Sequence, residues 1–212
     1  MPLPQENIET ILESTLLKQS HALLELFCHI DRSRFAQALD FLTRSQLIFT
    51  TGVGKSGYIA GKIADTFSSV GSPAIFMHPE QFLHGSMILL HQEGTSLLMI
   101  SKSGETKELL DIVEGLRYNY STPMVLISSQ EKSTLAQLTD VSIIYRGEEC
   151  CGRGFVPTTS TTLSLVIGDA LSMALMKANN LSVEQFANSH PGGSLGDRLR
   201  DNIGKVEFHH DL

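Results

Sequence analysis

Two short stretches carry residue types that can hold an anion. The first, Thr51-Gly52-Val53-Gly54-Lys55-Ser56-Gly57, follows the apolar run Leu47-Ile48-Phe49 and precedes helix-like apolar spacing from Tyr58 to Phe67, so it reads as a strand-to-helix turn. Glycines there let backbone N–H groups aim at an anion, and the dipole of the following helix adds positive potential. The spacing bears on which anion. A nucleotide P-loop needs a further glycine five positions before its Gly-Lys-Ser, where this chain has Phe49. Gly52, Gly54 and Gly57 do fit the dinucleotide fingerprint, but the next strand, expected from Pro73 to Met77, ends in His78-Pro79 with only Glu80 nearby to hold a ribose. The third reading is a smaller anion, one phosphate on a sugar.

The second stretch is Ser101-Lys102-Ser103-Gly104-Glu105-Thr106, where an expected strand turns into a helix. The hydroxyls of Ser101, Ser103 and Thr106 can converge with free N–H groups at the helix start to bind a dianion without a metal. Any one of them can equally serve as a helix cap. Taken jointly with Gly54 and Ser56, they favour a phosphate site. Glu105 and Glu108 are three apart at the same helix start, so they share a face and can point at a ligand, although helix starts favour acidic residues anyway.

Three further places hold proton-transfer chemistry. His78 and His84 lie in His78-Pro79-Glu80-Gln81-Phe82-Leu83-His84-Gly85; with Cys150 and Cys151 they would suit zinc, but no compact ligand spacing supports it, so no metal is expected and the histidines are left with a catalytic or packing role. Glu149 follows the last strand and precedes the hydroxyl run Thr158 to Thr162; a buried carboxylate at a strand end can be tuned as a base. His190 sits in the glycine-bracketed turn Ser189-His190-Pro191-Gly192-Gly193, where structural and functional roles are both open.

The elements that must position these residues follow from periodicity. Apolar residues at Ile8, Ile11, Leu12, Leu16, Leu23, Leu24 and Phe27 predict a long amphipathic helix from Glu6 to Ile30, and Asp31 caps a second helix reaching Thr43. Strands are predicted at 46–50, 73–77, 96–101, 123–128 and 141–145, with helices at 56–69, 106–119, 133–138, 159–179, 182–187 and 195–199. Five Ile/Leu/Val-rich strands separated by helices indicate an α/β fold, a five-stranded parallel sheet flanked by helices on both faces. The 212 residues suit a single domain: N-terminal helices over 1–44, a core over 45–199 and a polar tail over 200–212. A formal charge of −7, with 18% charged and 42% hydrophobic residues, lacks the basic excess of a nucleic-acid binder. The N-terminus has no signal-like layout and no apolar run spans a membrane, which points to the cytoplasm; Cys28, Cys150 and Cys151 are expected as reduced thiols.

The segments "GVGKSGYIAGKIADTF", "HPEQFLHG", "SKSGETKELLDIVEGL" and "PTTSTTLSLVIGDALSMALMKANNLSVEQFANSHPGGSLG" resemble the sugar isomerase (SIS) domain and, within it, the arabinose 5-phosphate isomerase family. The resemblance implies a flavodoxin- or Rossmann-like three-layer sandwich and a homotetramer with shared active sites. It also implies interconversion of D-arabinose 5-phosphate and D-ribulose 5-phosphate for Kdo, a sugar of lipopolysaccharide or capsule. Carried over by motif, Gly54, Ser56, Ser101, Ser103 and Thr106 are its substrate-binding residues, and Lys55, His84, Glu108, Glu149 and His190 its catalytic set. Aldose–ketose exchange through an enediol needs no cofactor, only a base and oxyanion-stabilising donors; His190 and the two glutamates stand as candidate carbon bases. Gln81 and Ser86 replace acidic residues common in the family, and the chain stops at Leu212 where many members continue into paired CBS domains, so a short form without them is expected. Another phosphosugar isomerase of this fold, and a non-catalytic sugar-phosphate sensor, are the alternatives.

Overall fold

A computed structural model describes residues 4–117, 122–151, 153–189 and 197. Two helices open the chain, α1 (Gln5–His29) and α2 (Arg32–Thr43), the second capped by Asp31, whose carboxylate accepts the N–H groups of Ser33 and Arg34. Strand–helix alternation follows: β1 (Leu47–Gly52), α3 (Lys55–Ser69), β2 (Ala74–Phe76), α4 (Pro79–Gln81), a π turn over Phe82–Ser86, α5 (Met87–Leu90), β3 (Thr95–Ile100), α6 (Lys107–Arg117), β4 (Met124–Ser128), α7 (Thr134–Leu138), β5 (Val141–Ile144), α8 (Thr159–Ala178) and α9 (Val183–Asn188).

The five strands form one parallel sheet in the order β2-β1-β3-β4-β5. Side chains alternate across it, and the two faces bury different cores. Ile48, Leu98, Ile100, Val125, Ile127, Val141 and Ile143 pack with α1, α2, α3 and α8, while Phe49, Leu97, Met99, Met124 and Leu126 pack with α5, α6, α7 and the π turn. Near-continuous apolar strands are what a sheet covered on both sides requires. Among the described residues α8 is the one helix long and apolar enough to cross a membrane; here half of it is buried, packed against α1, α2 and α3.

Two features depart from expectation. The segment after β2, read from sequence as a loop carrying two histidines, is largely helical with a kink at His84 and Gly85, where φ is −108° and 120°; Phe82 is fully buried there with its ring edge-on to Phe49, centroids 5.7 Å apart. Helix α1 forms as expected, but only Ala22 and Leu26 are buried, with Leu23 partly so, and Ile8, Ile11, Leu12, Leu16, Leu24 and Phe27 are 51–70% exposed, so most of its apolar stripe does not pack on this chain's core. The expected helix at 195–199 and the tail over 200–212 lie outside the described residues, Asp197 excepted.

Candidate active site

Strand order reverses between β1 and β3, and in open parallel sheets the crevice at the carboxyl ends of such a pair is where ligands bind. Both anion-binding stretches of the sequence leave the sheet there. Gly54 adopts φ 59° and ψ −126°, a conformation that costs a side chain dearly, and α3 begins at the next residue, Lys55. Past β3, the Ser101 and Thr106 hydroxyls lie 2.8 Å apart, the Gly104 N–H donates to Ser101 Oγ at 3.1 Å, and the Glu105 N–H donates to Ser103 Oγ at 3.2 Å. These bonds tie the loop to itself.

Between the two loops is a cavity of about 150 Å³ lined by Lys55, Ser56, Lys102, Tyr145, Ser160 and Thr161, among others. Its walls come from the start of α3, the loop before α6 and the start of α8. Two helix N-termini at the carboxyl ends of the strands, those of α3 and α8, favour an anion, and two lysines add charge to a protein that is otherwise acidic. A larger cavity, about 550 Å³, is lined by Arg44, Gly94 and Pro123 at the amino ends of the strands, the wrong end of the sheet for this chemistry.

Glu149 is buried, its side chain 1% exposed. One carboxylate oxygen, Oε2, accepts the Thr158 N–H at 2.7 Å, the Thr158 hydroxyl at 3.1 Å and the Ser160 N–H at 3.2 Å; the other, Oε1, pairs with Lys102 Nζ at 2.7 Å. In effect a carboxylate from the β5 loop caps the 20-residue helix α8. Burial pushes the carboxyl up, but the bonds from Lys102, Ser160 and Thr158 outweigh it and hold the group down at about 2. Tyr145, beside it, is driven to about 12, chiefly by burial, against a hydrogen bond with Ser164 and with help from the Glu149 charge, so its phenol stays neutral.

The candidates named from sequence divide as follows. Lys55 and Ser56 line the cavity, Gly54 rims an adjoining groove with Gly52 and Gly57, and Ser101, Ser103 and Thr106 form the neighbouring loop. Glu108 is half-buried in the first turn of α6, and His84 is exposed in the π turn; neither lines the cavity. His190 lies outside the described residues. Glu105 does not share the start of α6 with Glu108: it precedes that helix and accepts the Thr134 N–H at 2.7 Å, capping α7. Cys28, Cys150 and Cys151 are free thiols, and among the described residues no three His, Cys, Asp or Glu side chains group as a metal site. Sequence reasoning missed Lys102, Ser160 and Tyr145. Lys102 was legible as a cation inside a phosphate loop and Ser160 as a member of the hydroxyl run 158–162; Tyr145 had no local signal.

Residues 41–174 match the SIS domain family. The chain belongs to that family. Two curated relatives of this SIS domain are the arabinose 5-phosphate isomerase KpsF of Escherichia coli O6:H1 (strain CFT073), 36% identical over 202 residues, and the arabinose 5-phosphate isomerase KdsD of Yersinia pestis, 39% identical over 190 residues. These alignments cover 94% and 89% of this chain, which spans 61% and 57% of the two relatives' lengths. A solved structure of an Escherichia coli CFT073 protein in complex with arabinose 5-phosphate superposes with a TM-score of 0.82 at 29% identity, covering 89% of this chain and all of that one.

Proposed function

We propose that this SIS domain interconverts D-arabinose 5-phosphate and D-ribulose 5-phosphate through an enediol, in the cytoplasm, as a homotetramer, supplying the Kdo sugar of lipopolysaccharide or capsule. The observation that carries the reading is the cavity at the sheet's switch point, lined by helix N-termini and two lysines, one of them paired with a buried carboxylate; the names of its relatives and the arabinose 5-phosphate in a similar solved structure support the substrate. The exposed apolar stripe of α1 supports assembly.

In the proposed reaction the phosphate rests against Gly54, Ser56, Ser101, Ser103 and Thr106. One proton leaves C2 and returns to C1, while another moves between O1 and O2. Lys55 and His84 hold the sugar oxygens against developing negative charge. A carbon base works best with a proton affinity near the operating pH, which disfavours Glu149, held ionised at about 2; His190 and Glu108 are the other candidates carried over by motif. Glu149 then acts through its fixed charge, holding Lys102 at the cavity wall.

The test is EDTA-treated protein incubated with D-arabinose 5-phosphate, following ribulose 5-phosphate, with the folded His190→Ala variant beside it. Turnover in the parent that collapses in the variant is expected. Binding without product in the parent rejects isomerisation of this substrate and leaves another phosphosugar or a sensing role.

A further inference from the structure

Lys102 sits inside the phosphate loop, yet its side chain leaves it. The backbone carbonyl is pinned at the end of β4, accepting the Ser129 N–H at 3.2 Å, the Ser129 hydroxyl at 2.8 Å and the Ser128 hydroxyl at 3.2 Å. The ammonium, 2.7 Å from Glu149 Oε1, reaches a residue that follows β5, although β4 separates β3 from β5 in the sheet. Glu149 in turn holds Thr158 and Ser160 at the start of α8. One side chain thus links three segments around the cavity: the loop after β3, the loop after β5 and the start of α8. Its own side chain is 40% exposed and lines that cavity beside Lys55. An ammonium has three donors, so the ion pair with Glu149 leaves capacity for a ligand oxygen.

We propose that Lys102 is a positioning residue of the phosphosugar site, holding the Glu149 carboxylate and the phosphate loop in a fixed mutual geometry and offering its remaining donors to the bound sugar phosphate. The catalytic consequence rests on the isomerase reading above; the coupling itself does not. Other charged or titratable groups around Glu149 are Tyr145 following β5, Lys55 on α3, Lys18 on α1, whose ammonium donates to the Cys150 carbonyl at 3.0 Å, and the adjoining Glu148, Cys150 and Cys151. Of the cations among the described residues, Lys102 is the one paired with the carboxylate. Removing its charge leaves Oε1 without that partner and makes protonation of Glu149 easier.

The experiment titrates the Glu149 side-chain carboxyl by carbon-13 NMR in the parent chain, in Lys102→Arg, and in Lys102→Gln and Lys102→Met made in parallel so that one folded neutral variant suffices. The parent should titrate well below the ordinary carboxylate range, the arginine variant should stay low, and a neutral variant should rise by about 1 to 3 pH units. On arabinose 5-phosphate, a neutral variant should lose about tenfold or more in kcat with its acid limb moved to higher pH, and arginine should recover most of that loss. A parent carboxyl that titrates in the ordinary range, or a neutral variant with the parent's midpoint and pH profile, overturns the proposal. Absence of turnover in the parent rejects the isomerase reading alone, because the titration judges the Lys102–Glu149 coupling without it.

Discussion

The Thr158 N–H donates to Glu149 Oε2 over 2.7 Å, so the buried carboxylate paired with the cavity-lining Lys102 also caps the N-terminus of α8. The ion pair at the cavity wall and the helix cap are therefore joined in one side chain, and acid should affect both. Glu149 is held at about 2 against an ordinary 4.5. A depressed carboxyl contributes stability that is complete above its unfolded titration and is lost as pH falls, here between about pH 5 and pH 2. The loss is at most of the order of 3 kcal/mol. Urea midpoints for the parent and for Glu149→Gln at pH 7, 5 and 3 check this: the parent should fall more steeply, and equal slopes contradict the assignment.

Gly104→Ala should damage the phosphate loop. The residue has φ +65°, and an added Cβ would lie 2.0 Å from Ser133 Oγ. We expect a stability loss of about 1–3 kcal/mol, read as a lower Tm, together with a raised KM for the sugar phosphate. An unchanged Tm would show that the loop relaxes freely.

Glu105→Ala should cost about 1 kcal/mol through the lost cap on α7 while leaving kcat within about twofold of the parent, since its carboxylate is committed to Thr134. Thermal unfolding and steady-state rates measured on the same preparation separate the two effects. A collapse of kcat with normal stability would return Glu105 to the active site.

Lys55→Ala should raise KM for arabinose 5-phosphate by about tenfold, because a wall cation is removed from the cavity. Its effect should weaken as ionic strength rises. A variant with the parent's KM at low salt places the phosphate elsewhere.

Much of this site was legible before the fold was known. Gly54, Lys55 and Ser56 announced an anion-binding turn because glycines, a cation and a hydroxyl stood between an apolar run and a helical period, and the structure puts Lys55 and Ser56 on the cavity wall. The serine-rich loop after β3 was read as a second phosphate-binding element for the same local reason, and its hydroxyls and N–H groups do interlock. Glu105 was misread because its partner, Thr134, is 29 residues away and belongs to another helix.

What the sequence by itself determined is the alternation of strand and helix, the two phosphate-type loops and the family, all of which rest on period and short-range spacing. What the tertiary structure decided is which of those residues meet. Strand order set β1 beside β3 and so opened the crevice between their loops; burial and the bonds of Thr158 and Ser160 turned Glu149 from a possible base into a fixed anion; and Lys102 acquired a partner 47 positions along the chain. Proton affinity and ion pairing depend on distance and on the removal of water, neither of which linear spacing records.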